Sequence, residues 1–259
     1  MTDTTSAPPQ PTMRRPRSRF VAILRYTLQS CVPPRRWAAI LLPCAGALLF
    51  GLLARAVDAR PERAFANVAA EGIFSLVMPI AALVIGDSVL GAEVRAGTFH
   101  FTWLSPTATW QIVLGRWLGG SMVALVTIAP ASALAAVIAG APSSAWPAFV
   151  AAAVGSITYV ALFITVGCVT RRTAVWSLAI VFLIERLLGA ALTGIAQLSP
   201  TWESRAIFVG LLDNPPSRLV RDGIPQGGAA IVRLLIVTVI SLGIANWRMG
   251  HMRLSGASD

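Results

Sequence analysis

Few side chains in this sequence could carry chemistry. The 259 residues include two histidines, His100 and His251, three cysteines, Cys31, Cys44 and Cys168, and eleven carboxylates. A hydrolase needs a nucleophile beside a base, or a metal held by several ligands. Neither histidine falls in an H-E-x-x-H pattern, no C-x-x-C occurs, and no two carboxylates are spaced to face one cavity. The cysteines form no metal spacing and cannot all pair; Cys44 and Cys168 lie in apolar runs, the ordinary place for a small buried thiol. A phosphate-binding G-x-x-x-x-G-K-[ST] loop is absent, and the chain has no lysine with which to build one. Leu254-Ser-Gly-Ala-Ser258 faintly resembles an ATP-cassette signature, but it stands in a short tail without a nucleotide fold and reads as chance. The expectation is a chain that is not an enzyme, with no catalytic, cofactor-binding or metal residues and no ATP hydrolysis of its own.

Two other places remain. Glu185-Arg186 falls in the middle of an apolar run, where each charge costs at least ~2.5 kcal/mol to insert. Neighbours on a helix point about 100° apart, so the two cannot serve one site. Either Glu185 faces a translocation path while Arg186 pairs with another helix, or both make packing ion pairs; packing is the commoner use and is favoured. The second place is Glu93–Arg116, EVRAGTFHFTWLSPTATWQIVLGR, a polar interruption between two long apolar runs.

Composition sets the frame for both. The chain is 56% hydrophobic and 12% charged, against about 25% charged in ordinary soluble chains. Trp117 to Thr170 contains no Asp, Glu, Lys or Arg, which is too long a stretch for one span, since about 20 residues cross a bilayer. The net charge of +10 does not indicate nucleic acid, because all 21 basic residues are Arg and they sit at the edges of apolar runs. The fold class expected is all-α and polytopic. Residues 1–13 form a disordered tail. Residues 14–36 are a basic amphipathic segment with seven arginines, its Phe20, Ile23, Leu24 and Leu28 on one helical face; it lies on the membrane surface or simply enforces orientation. No signal peptide is evident. Residues 37–247 form six spans, at about 37–53, 68–90, 111–139, 146–170, 173–197 and 229–247, with a turn at 140–144. Residues 248–259 are a tail.

Orientation follows from arginine placement. With both termini inside, thirteen arginines are cytoplasmic and six are outside, which satisfies the positive-inside rule. Glu93–Arg116 is then cytoplasmic. The loop from Leu198 to Gly228 is outside, long and half apolar, and reads either as two short pieces dipping back towards the membrane or as an ordinary loop. The glycines of Gly115-x-x-x-Gly119, and Gly189 with Gly194, allow close helix approach.

Within the interruption, Gly97 frees the backbone to turn, Thr98 can cap a short helix carrying Phe99, Phe101 and Trp103, and Ser105-Pro106 fits an N-cap with proline at the first helical position. An ordinary loop with interfacial aromatics is the plainer reading. The order of residues adds to the first. Glu93-x-x-x-Gly97-Thr98, then Ser105-Pro106, then Gly115-Arg116 resembles the signature of type-2 ATP-binding-cassette (ABC) transporter permeases. Arg116 stands where that family usually has lysine, and FHFTWL is more aromatic than its pattern.

The resemblance implies a permease subunit in a bacterial cytoplasmic membrane, exporting a substrate with ATP hydrolysed elsewhere. Its coupling helix, with Glu93, Gly97, Thr98, Phe99, Phe101, Trp103, Ser105 and Pro106, would dock on an ATP-binding subunit. It implies an amphipathic helix before the first span, a re-entrant pair between spans five and six, a second permease chain (identical or related), and two ATP-binding subunits that hold the ATP and Mg. The rival readings are an ATP-independent secondary transporter and a membrane anchor or immunity-type protein. Against the first, carriers usually place several ionisable residues or broken helices at the midplane.

Overall fold

The structure, a computed structural model, describes residues 19–31, 37–57, 60–91, 93, 107–170, 172–220 and 225–251. All regular structure among them is helical. Helix α1 is Arg19–Cys31 and α2 is Trp37–Val57. Helix α3 runs over Pro61–Gly91 and α4 over Thr109–Ile138. After the 3-10 turn Pro142–Ser144, α5 runs over Ala145–Val169. Helix α6 covers 173–191, with a last turn at Thr193–Ala196. Helix α7 is Pro200–Gly210 and α8 is Gly228–Gly250.

Four of these, α3, α4, α5 (with its preceding 3-10 turn) and α8, are long and apolar enough to cross a membrane; the apolar parts of α2 and α6 are shorter. The expected span over 68–90 begins earlier, because Arg60-Pro61 starts the helix: proline at the first helical position needs no amide partner. The run expected at 173–197 breaks at Leu192 rather than continuing. The turn expected at 140–144 is a Schellman cap. Gly140 takes φ 83°, the left-handed region open to glycine, and Ala141 N–H reaches the Ala136 carbonyl at 2.9 Å.

Helix α5 is the centre of the bundle, packed on α3, α4, α7 and α8. Its alanines and glycines allow this: Ala148, Ala151, Ala152 and Ala161 are fully buried, and without side chains to keep them apart, helices approach closely. Helix α8 is mostly outward-facing, with 28% of its apolar window buried against 67% for α3. Helix α1 lies across the start of α4. A Cβ at Gly115 would stand 2.9 Å from Ile23 Cγ2, and one at Gly119 2.7 Å from Thr27 Cγ2, so these two glycines form the seat for α1. Gly194 has open space around it, whereas Gly189 lies under the Trp202 indole.

Three stretches are wound as π-helix: Ala69–Val77 and Asp87–Gly91 in α3, and Ile180–Leu188 in α6. Pairing there runs i→i−5, as where Met78 N–H reaches the Ile73 carbonyl and Gly189 N–H the Ile184 carbonyl. On returning to α pairing one carbonyl is skipped, and such sites recur where a helix does something other than pack.

Candidate functional site

Two buried carboxylates sit at these π stretches. The first is Glu93. Its Oε2 lies 2.6 Å from Arg116 Nη2, with Arg116 1% exposed and Glu93 9% exposed. The other guanidinium nitrogen, Nη1, donates to the Val89 carbonyl in the second π stretch of α3. Arg116 therefore ties the end of α3 to the first turns of α4. Breaking one side of such a pair leaves an uncompensated buried charge, which costs about 3–5 kcal/mol. Tyr26 of α1 is also within reach of this site: its phenol is held above the ordinary value, first by partial burial and then by the Glu93 carboxylate. Three helical segments thus meet on one ion pair.

Of the residues expected to form the contact element, only Glu93 is described. Gly97, Thr98, Phe99, Phe101, Trp103, Ser105 and Pro106 lie outside the described residues. Among the described residues, Glu93 pairs with Arg116.

The second carboxylate is Glu185, 3% exposed, in the π stretch of α6. Its Oε2 accepts from Tyr159 Oη of α5 at 2.5 Å, from Ser199 Oγ at 2.6 Å and from Thr201 N–H at 3.3 Å. Tyr159 Oη also lies 2.6 Å from Thr201 Oγ1. Ser199 is the N-cap of α7, accepting from Trp202 N–H at 3.4 Å, and Pro200 occupies the first helical position. The carboxylate therefore stands at a helix N-terminus, where unpaired amides and the helix dipole favour negative charge. The Glu185 main-chain carbonyl lies at the end of the π stretch and accepts from Trp202 Nε1 at 3.0 Å. Side chain and backbone of one residue hold the same short helix.

Packing ion pairs are the use expected for Glu185; among the described residues its hydrogen-bond partners are two hydroxyls and an amide. The side chain of Arg186 lies outside the described residues. Sequence reasoning missed Tyr159, Ser199 and Thr201. One signal was present: Ser199-Pro200 repeats the N-cap-and-proline pairing of Ser105-Pro106. It also missed Glu203 of α7, which is fully buried with neither oxygen hydrogen-bonded and with Arg233 Nη1 of α8 at 3.8 Å. Further along α7, Arg205 pairs with Glu71 of α3 at 2.6 Å and lies over the Trp202 ring at 4.7 Å.

Among the described residues, no group of three or more His, Cys, Asp or Glu side chains could hold a metal ion. Cys31, Cys44 and Cys168 are free thiols. Burial pushes the Cys31 thiol up to about 12, so it is inert at neutral pH.

Among the described residues all regular structure is helical, and four helices are long and apolar enough to cross a membrane, the pattern of a helical membrane protein. No protein-family model matches the chain, and no curated protein matches it.

Proposed function

We propose that this chain is the membrane permease subunit of an ABC transporter, exporting a substrate across a bacterial cytoplasmic membrane with ATP hydrolysed by a separate subunit. The observation that carries the reading is the buried Glu93–Arg116 pair. It spans the segment whose residue order resembles the type-2 permease signature and fastens both ends of that segment to the bundle. A contact helix over 97–104, held between α3 and α4, would pass a push from a partner into both, and through Tyr26 into the basic helix α1.

In this reading six helices, α2 to α6 and α8, make the spans, with both termini cytoplasmic. Helix α7 is the re-entrant piece of the outer gate, latched to α6 by Glu185 and Trp202. Two such chains and two ATP-binding subunits form the working unit, and ATP and Mg sit on the partner.

The test is a mild-detergent pull-down of the tagged chain from its native membranes, followed by mass spectrometry and an ATPase assay. A stoichiometric ATP-binding-cassette partner, lost on Phe101→Pro, is the expected result. Recovery of the active chain alone would overturn the reading. Phe101→Pro is the cleaner probe, because reversing Glu93 alone also strands Arg116 in a buried site.

A further inference from the structure

At the end of the bundle opposite Glu93 and Arg116, a cavity of about 640 Å³ opens between the start of α3, the α4–α5 turn and the loop after α7. Its polar lining is Arg60, Glu62, Arg63, Asn214 and Ser217. Glu62 is engaged by Ser143 Oγ at 2.8 Å. Arg60 and Arg63 are both exposed, and Arg63 makes no ion pair among the described residues. Two guanidinium forks with an amide and a hydroxyl beside them match the oxygens of a phosphate group, which arginine grips through paired N–H donors.

One turn further along the same stripe of α3, at Asn67 and Glu71, a second cavity of about 330 Å³ lies between α2 and α3. Its walls include Phe50, Leu53 and Val68, and the Glu71 charge is answered by Arg205 at 2.6 Å. From Arg63 to Val68 the helix rises about 8 Å, five residues at about 1.5 Å each. A cationic cup at the start of an apolar helix, continued by a greasy groove on the next turn, has the layout of a lipid: head group first, chain after. A free phosphate would use only the first cavity.

We propose that these two cavities bind an anionic phospholipid, with its phosphate between Arg60 and Arg63 and an acyl chain against Phe50 and Leu53. The site does not depend on the ATPase-coupled reading; a solitary anchor could hold it equally well.

The experiment uses the purified full chain in mild detergent, titrated with phosphatidylglycerol, phosphatidylcholine or inorganic phosphate alone, with bound ligand counted by native mass spectrometry. Phosphatidylglycerol should bind about tenfold or more tightly than phosphatidylcholine. The double variant Arg60→Gln/Arg63→Gln should lose that preference, while Arg55→Gln, an exposed arginine outside the cavity, should keep it. Leu53→Trp, which fills the groove without altering charge, should weaken both lipids. Equal binding of the two lipids by the natural chain would overturn the proposal, as would a preference that survives the double variant or is lost as readily in Arg55→Gln. Phosphate that binds alone and excludes phosphatidylglycerol, with Leu53→Trp without effect, would make the cavity a phosphate site and overturn the lipid assignment.

Discussion

Trp202 donates its indole N–H to the main-chain carbonyl of Glu185 at 3.0 Å, while the Glu185 carboxylate accepts from Ser199 and Thr201 at the start of Trp202's own helix. The two residues hold each other in opposite senses. The π stretch of α6 leaves a carbonyl spare, and α7 supplies the donor; the N-terminus of α7 leaves amides spare, and α6 supplies the acceptor. Neither helix end is satisfied without the other.

Replacing the carboxylate should therefore loosen α7 specifically. Glu185→Leu leaves the Ser199 hydroxyl and the Thr201 amide without their acceptor, at about 1–3 kcal/mol for each buried group stranded. Thermal unfolding of the purified chain in detergent should show the loss. Hydrogen exchange should rise first at the amides of α7 rather than in α5.

Trp202→Phe isolates the other half of the clasp. A smaller ring remains beside Gly189 and under Arg205, and the bond to the Glu185 carbonyl is lost, so the cost should be at least about 0.5–1.5 kcal/mol. Faster exchange confined to the end of α6 is the expected sign; uniform loosening of the whole bundle would contradict the local account.

In the ion pair between α3 and α4, Glu93→Gln and Arg116→Met should each destabilise by about 3–5 kcal/mol. The pair together should cost much less than the sum, because the double variant leaves no stranded charge. A thermodynamic cycle measured by unfolding in detergent checks this, and strictly additive losses would mean that the two side chains do not interact.

The seat of α1 can be tested through a thiol. Cys31 is 2% exposed and protonated at neutral pH, so the natural chain should resist maleimide at this residue. Gly119→Val places carbon atoms where Thr27 now lies, at an overpacking cost of about 1–3 kcal/mol. It should lift α1 and speed Cys31 labelling severalfold, read peptide by peptide in a mass spectrometer. Unchanged labelling would show that α1 is held elsewhere.

Much of the architecture was legible in the residues one after another. Long uncharged runs dictate helices, because a segment of this kind can satisfy its backbone without water only by pairing within itself. Gly140 announced its turn, and the spacing of Gly115 and Gly119 announced a close helix approach. The π stretches were not legible, since one extra residue per turn leaves no pattern of residue types of its own. Nor was the length of α3, which took over residues that had looked like loop.

What the sequence determined by itself was the helical class, the placing of charge at the ends of apolar runs, and the fact that charges inside such a run, Glu185 and Arg186, would have to be answered for. Which groups answer them was decided only in three dimensions. Glu185 meets a tyrosine 26 residues away and a helix start 14 residues away; Glu93 meets an arginine 23 residues away. A carboxylate in an apolar bundle accepts any donor that packing brings within about 3 Å. Packing is set by which small residues let which helices approach, and that is a property of the whole bundle.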